Sequence, residues 1–169
     1  MSLRPFPPDR TRPGRKGPIV RVGADSEADV AGPQAVAAPP VLLVKGKKMK
    51  VYKVDDFLKL NNPTPGKTYR QDTLTKEDDA KELGGLFGIM VAGAQGEYHY
   101  HNKRESLLFI IAGEATELVD GKEHPIKAGD VLFIRPGEKH TIMNRTDKDL
   151  RFLEFFTHPP VQADKIAVK

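Results

Sequence analysis

The chain has 169 residues and no cysteine, which leaves room for one folded domain and excludes disulfides, thiolate metal ligands and thiol nucleophiles. Its net charge of +4 is unevenly placed: residues 1–48 carry nine Lys or Arg against four Asp or Glu, whereas residues 49–169 carry eighteen against nineteen. The folded part is therefore nearly neutral, which argues against a nucleic-acid partner.

Residues 1–40 are rich in proline and arginine: they hold eight of the fourteen prolines and only one of the twelve aromatic residues, Phe6. So few large apolar side chains cannot offset the entropy of ordering, and we expect a disordered tail. Met49 opens a segment of ordinary globular composition, so an alternative translation start there stays open. The chain lacks both the roughly 18 consecutive apolar residues of a membrane span and an apolar core behind the N-terminal arginines, so we expect a cytoplasmic protein.

Beyond Met49, short segments rich in β-branched and aromatic residues alternate with turn signals. Asp120-Gly121 is a strong hairpin signal, and residues 55–60 are typical of one helical turn. The predicted strands are 49–54, 68–74, 86–92, 97–101, 106–112, 115–119, 122–126, 131–134, 141–144 and 150–156. Many short strands at this spacing predict an all-β antiparallel sandwich or barrel, and the absence of an internal repeat indicates a single one within 49–169.

A group of metal-ligand residue types follows the strand predicted over 97–101. His99 and His101 stand two positions apart and therefore point to the same face of a strand. Glu105 lies just beyond them, and His140 comes from a distant strand. Imidazoles and a carboxylate, without thiolate, suit Fe, Mn, Ni, Zn or Cu. The sequence therefore predicts a four-ligand metal site.

Two segments carry the resemblance to a known family. Residues 93–105, with Gly113 beyond, resemble the first motif of the cupins, although Gly113 falls one residue later than the commonest spacing. Residues 129–144 resemble the second motif, with Arg135 where the family usually has its first proline. The two motifs and the strands around them cover residues 84–157.

The resemblance implies a small jelly-roll β-barrel that holds one divalent metal, most often Fe or Mn, through three histidines and a glutamate. Here these are His99, His101, His140 and Glu105. Four protein ligands leave one or two coordination positions for water, substrate or O₂, as a catalytic site requires. His124 and His158 lie outside the motifs, and we expect both to be exposed.

Three other residues are candidates for catalysis or substrate binding beside the metal. Glu97 shares the parity of the two histidines, and Glu154 would be a buried general base if it points inward. Both are equally compatible with an ordinary exposed carboxylate. Arg70 could bind a substrate carboxylate or phosphate, or lie on the surface.

Three functional classes fit this sequence. A dioxygenase-like oxidoreductase is favoured, and a non-redox isomerase, decarboxylase or lyase and a non-catalytic small-molecule binding or sensing module are the alternatives. The substrate and the metal stay open. Because a single barrel exposes sheet edges, we also expect a homodimer that uses the barrel faces and the strand opened by Met49.

Overall fold

The fold consists of two five-stranded antiparallel sheets in a computed structural model that describes residues 42–43 and 49–169. The disordered tail predicted for residues 1–40 lies outside the described residues. Helix α1 (Val54–Lys59) and two 3₁₀ turns, Lys76–Asp78 and Val161–Asp164, accompany the strands. The strands are β1 (Leu42–Leu43), β2 (Lys50–Val51), β3 (Tyr69–Leu74), β4 (Leu83–Met90), β5 (His99–His101), β6 (Ser106–Ala112), β7 (Glu114–Val119), β8 (Lys122–Lys127), β9 (Val131–Ile134), β10 (His140–Met143), β11 (Leu150–Thr157) and β12 (Lys165–Ala167).

The two sheets enclose one apolar core. The first sheet has the strand order β3-β4-β11-β6-β9 and the second β12-β5-β10-β7-β8, while β1 and β2 pair separately. Because side chains alternate across each strand, one face of each sheet points inward. The inward residues of the main core are Leu86, Met90, Leu108, Ile110, Ala115, Ile126, Leu150, Phe152 and Phe156. The predicted all-β jelly-roll barrel is confirmed.

Helix α1 covers part of the outer face of the first sheet. Phe57 is buried there, with its ring centroid 4.9 Å from that of Phe87. The guanidinium of Arg151, on β11, donates to the backbone carbonyls of Phe57 and Leu60 at 2.8 and 2.7 Å. These bonds satisfy carbonyls that a helix end leaves unpaired, so they fix α1 to the sheet.

Two differences from the predicted elements bear on the rest of the molecule. The strand predicted over 49–54 is shorter, because helix α1 begins at Val54. Strand β12 was not predicted at all, and it pairs with β5, the strand that carries two of the candidate ligands. No helix among the described residues is both long and apolar enough to cross a membrane.

Candidate metal centre

Three histidines converge on the inner face of the second sheet. His99 and His101 lie two residues apart on β5, and the pairing of β5 with β10 places His140 opposite His99. The ring centroid of His99 is 4.4 Å from that of His140 and 4.9 Å from that of His101. One ligating atom of each ring lies within 4.8 Å of the other two. The structure thus brings together three of the four predicted ligands.

Hydrogen bonds at Nδ1 orient His99 and His101. Nδ1 of His99 donates to the carbonyl oxygen of Glu97 at 2.8 Å, and Nδ1 of His101 donates to that of Asp164 at 2.9 Å. Because a carbonyl oxygen only accepts, the proton of each neutral ring belongs on Nδ1, and Nε2 keeps its lone pair. Contacts of this kind typically orient metal-ligating imidazoles.

His140 is oriented by a buried carboxylate that the sequence analysis missed. Its Nδ1 lies 3.0 Å from Oε1 of Glu117, on the neighbouring strand β7. Among the described residues, Nε2 of His140 and Oε2 of Glu117 have no hydrogen-bond partner. A buried imidazole nitrogen without a partner is unfavourable, so a metal ion fits this lone pair. The alternation of β7, which turns Ala115 and Glu117 inward, is the signal that could have found this residue.

The electrostatics keep two of the imidazoles neutral. Burial lowers the pKa of His99 and of His101 to about 4, because it disfavours the charged imidazolium. Both rings are therefore neutral at pH 7, which is the state in which imidazole binds a metal. Burial acts in the opposite direction on Glu117 and raises the pKa of its carboxyl group.

The structure does not bring Glu105 to the histidines. Strand β6 turns Ser106 and Leu108 inward, so Glu105 and Leu107 point outward. The exposed side chain of Glu105 lines a separate surface cavity together with Leu107 and Phe133. Parity along β6 therefore separates this carboxylate from the metal-ligand cluster.

The position of Gly113 explains this placement. Gly113 has a φ of +80°, and an added Cβ would lie 2.5 Å from the carbonyl oxygen of Asp149, so the end of β6 requires glycine. Gly113 falls one residue later than the commonest family spacing from Glu105. Counted back from Gly113, that spacing places the glutamate position of the motif at Ser106. Ser106 is buried, and its Oγ has no partner among the described residues. A hydroxyl thus stands at the inward position, and the assembled donors are three histidines.

A cavity of about 50 Å³ lies beside the three imidazoles. A single water molecule needs roughly 10–15 Å³ of such space, so the cavity holds a few waters or one very small ligand. Five charged side chains contribute to its lining: Arg70, Arg104, Glu117, Glu154 and Lys165. The site therefore combines a metal-ligand cluster with an unusual density of charge.

Arg104 is the buried cation of this lining, with 2% of its surface exposed. Its Nη2 donates to the carbonyl oxygens of Pro160 and Val161 at 3.0 and 2.6 Å, and its guanidinium carbon lies 4.4 Å from the ring centroid of Phe156. Nε has no partner among the described residues. After burial, the charge of Arg104 is a further cause that lowers the pKa of His101. The sequence analysis did not single out this arginine.

The two carboxylates considered as catalytic groups are placed differently. Glu154 shares the inward parity of Phe152 and lines the cavity. Glu97 is exposed, and its carboxylate pairs with Nζ of Lys165 at 2.7 Å. The backbone carbonyl of Glu97, and not its carboxylate, contacts a candidate ligand, through its bond to the imidazole of His99.

Of the remaining residues considered in the sequence analysis, one lines the cavity and two do not belong to the site. Arg70, on β3, is exposed but lines the cavity. His124 and His158 are exposed, as expected, and neither belongs to the histidine cluster.

The segment after β11 completes one wall of the cavity. Val161 and Lys165 line it, and Oδ2 of Asp164 accepts hydrogen bonds from the backbone N–H groups of Lys103 and Arg104 at 2.7 and 2.9 Å. These bonds tie the end of the chain to the residues that follow His101. The carboxyl-terminal segment is therefore part of the site.

Comparison with known proteins agrees with this architecture. The family model of the cupin domain matches residues 86–156, which contain all three histidines. The oxalate-binding protein of Thermotoga maritima is 41% identical over 61 residues, which cover 36% of this chain and only 50% of that protein. L-ectoine synthase of Halalkalibacterium halodurans is 27% identical over 114 residues, which cover 67% of this chain and 86% of that enzyme.

A solved structure from Thermotoga maritima, described as a predicted oxalate decarboxylase, is also similar. It is 31% identical, has a TM-score of 0.51, and the match covers 54% of this chain and 81% of that one. The two motifs, the double-sheet barrel and these likenesses lead to one conclusion: the chain belongs to the cupin family.

Proposed function

We propose that this protein binds one divalent transition metal through His99, His101 and His140 and, beside that metal, a small carboxylate anion of the oxalate class. The observation that carries the proposal is the convergence of three oriented imidazoles next to a cavity that a buried arginine lines. Imidazole donors suit Fe, Mn, Ni, Zn and Cu, and of these we favour Fe or Mn, as the family resemblance implies.

The donor set supports an open metal site. Three imidazoles give a tetrahedral or larger coordination sphere at least one further position, and when bound the metal would act there as a Lewis acid. Neutral histidines leave the charge of a divalent ion uncompensated. An anionic ligand is therefore favoured over a neutral one at the open position.

The size of the cavity supports a very small ligand. About 50 Å³ is the space of a few water molecules, so the room beside the imidazoles suits a compact anion such as a dicarboxylate of the oxalate class.

The similar proteins support the same choice. The protein that is 41% identical carries the name oxalate-binding protein, and the 31% identical structure is described as a predicted oxalate decarboxylase. The match to L-ectoine synthase is longer but only 27% identical. The shorter matches thus have the higher sequence identity.

Non-redox turnover of the bound anion is the second candidate function. Glu154 lines the cavity and is the carboxylate there that is not engaged with a histidine, so it is available to move a proton at the ligand. The dioxygenase-like activity favoured from the sequence stays a prediction, as does a purely binding role.

The test uses the full chain purified without added metal. We expect elemental analysis to find about one Mn or Fe per chain, and calorimetry to show oxalate binding that chelator treatment abolishes and Mn²⁺ restores. Formate release and oxygen consumption then distinguish turnover from binding alone. Oxalate binding that is equally tight without metal, or no oxalate binding at all, would contradict the proposal.

A further inference from the structure

We propose that Arg104 determines the ligand specificity of this site: its guanidinium binds a carboxylate of the ligand, and the anion supplies the negative charge that the outward-pointing Glu105 does not. The inference rests on the proposed function and deepens it. The two features behind it are the outward placement of Glu105 and the burial of Arg104 beside the histidines.

The charges around the cavity call for an anion once a metal is present. The lining holds three cations and two carboxylates, and one of the cations, Lys165, is already paired with Glu97. The two arginines then balance the two carboxylates, so the lining has no surplus negative charge for a divalent ion. Uncompensated charge is unfavourable in a partly buried site, and a dicarboxylate dianion removes it.

The outward placement of Glu105 explains why the protein does not supply this charge itself. Its exposed side chain lines the surface cavity with Leu107 and Phe133 and does not line the cavity beside the histidines. The ligand is left to supply that charge.

Arg104 is prepared to bind the anion. Two backbone carbonyls and the face of Phe156 hold its guanidinium in place, and its Nε–H has no partner among the described residues. A planar guanidinium that is already oriented binds carboxylate through directed hydrogen bonds at little entropic cost. Arg70 also lines the cavity, but its exposed side chain is not held in this way.

The experiment compares oxalate with oxamide, its neutral analogue of the same shape, on the Mn²⁺-loaded full chain. We expect Arg104→Met to weaken oxalate binding by about 10- to 100-fold, the range for a lost charged hydrogen bond. The Mn²⁺ content and the weak binding of oxamide should stay unchanged. The preference for oxalate over oxamide should therefore fall by the same factor as the oxalate affinity. Arg104→Lys keeps the charge but not the planar guanidinium, so its oxalate affinity should be intermediate.

Arg145→Gln is the matched control, because this arginine is exposed and pairs with Glu123 on the surface. It removes the same charge outside the site, and its oxalate preference should equal that of the unmodified chain. A general loss of positive charge would lower oxalate binding in both variants.

Arg104→Gln removes the charge but keeps a polar side chain, so it is a second neutral variant at the same position. This variant and Arg104→Lys decide the matter if Arg104→Met does not fold. Oxalate preference equal to that of the unmodified chain in both would overturn the role of Arg104, whereas failure of the unmodified chain to bind oxalate would overturn the proposed function instead.

Discussion

Oε1 of Glu117 lies 3.0 Å from Nδ1 of His140, so a fully buried carboxylate orients the histidine that comes from the distant motif. The other two histidines use backbone carbonyls for the same purpose. A backbone carbonyl cannot be replaced by substitution, but Glu117 can. The contact between Glu117 and His140 is therefore the place where the orientation of the imidazoles is open to test.

Replacing Glu117 with Gln should lower Mn²⁺ affinity by about 10- to 100-fold, the usual effect of removing the carboxylate behind a ligating histidine. The neutral amide makes the imidazole a weaker donor and can present its N–H group to Nδ1. Competition with a chelator of known affinity measures the change. Glu123→Gln, on the exposed surface, is the control, and equal affinities in the two variants would contradict the orienting role of Glu117.

The placement of Glu105 distinguishes the structure from the sequence prediction. Glu105→Gln should retain Mn²⁺, because its side chain lies outside the cavity. His101→Ala should lose the metal while the barrel stays folded. Metal analysis and circular dichroism of both variants provide the measurement. Loss of metal in Glu105→Gln would show that Glu105 is a ligand after all.

The metal-free protein should lose stability as the pH falls from about 6.5 to about 4. The imidazoles of His99 and His101 have a pKa of about 4 in the folded chain, whereas unfolded histidine titrates near 6.5. Below pH 6.5 the unfolded state thus takes up protons that the folded state does not, and their contribution is fully present only above that pH. Glu117, whose pKa burial raises, acts in the opposite direction.

Thermal melts between pH 7.5 and about pH 4.5 of chelator-treated protein test this dependence. The double variant His99→Gln with His101→Gln should show a smaller change in melting temperature over that range. An identical pH profile in the variant would mean that other groups cause the loss.

Substitution of Asp164 should loosen the carboxyl-terminal segment. Asp164→Ala removes the acceptor for the backbone N–H groups of Lys103 and Arg104, with an expected loss of roughly 1–3 kcal/mol in the free energy of unfolding. Hydrogen exchange should accelerate in residues 161–167 and leave the β4–β11 pair protected. Asp147→Ala, at an exposed position, is the control, and uniform exchange in both variants would contradict the prediction.

The homodimer expected from the sequence stays a prediction, and the outer face of the first sheet offers surface for it. Leu83, Leu107, Val131 and Phe133 are each at least 42% exposed on this face. Such a patch is typical of a contact surface. Sedimentation of the full chain at micromolar concentration should give a dimer mass, and Phe133→Lys should shift it toward the monomer. A monomer mass for the unmodified chain would contradict the expectation.

The barrel and the three histidines could be predicted because their signals are local. His99 and His101 need only strand parity, and His140 follows a turn at Gly137 that the second motif contains. The strands of the core are also predictable. Apolar inward residues such as Leu86, Leu108 and Phe152 alternate along their strands with residues that point to the opposite face. Local periodicity is sufficient for each of these features.

The outward placement of Glu105 was harder to predict, because it depends on where the turn after His101 ends. A shift of one residue in that turn exchanges Glu105 for Ser106 on the inward face. The late Gly113 was the visible sign of this shift. Glu117 and Asp164 were missed for another reason, because their partners, His140 and His101, are 23 and 63 residues away along the chain. Strand β12 has only three residues, too few to show a periodic pattern.

The contacts of residues 160–165 extend the candidate site beyond the family match. The match ends at residue 156, yet the carbonyls that hold Arg104 and orient His101 come from beyond that boundary. Strand β12 also pairs with β5, the strand that carries His99 and His101. Two cupins that share the three imidazoles can therefore differ in the groups around them through residues that a family match does not cover.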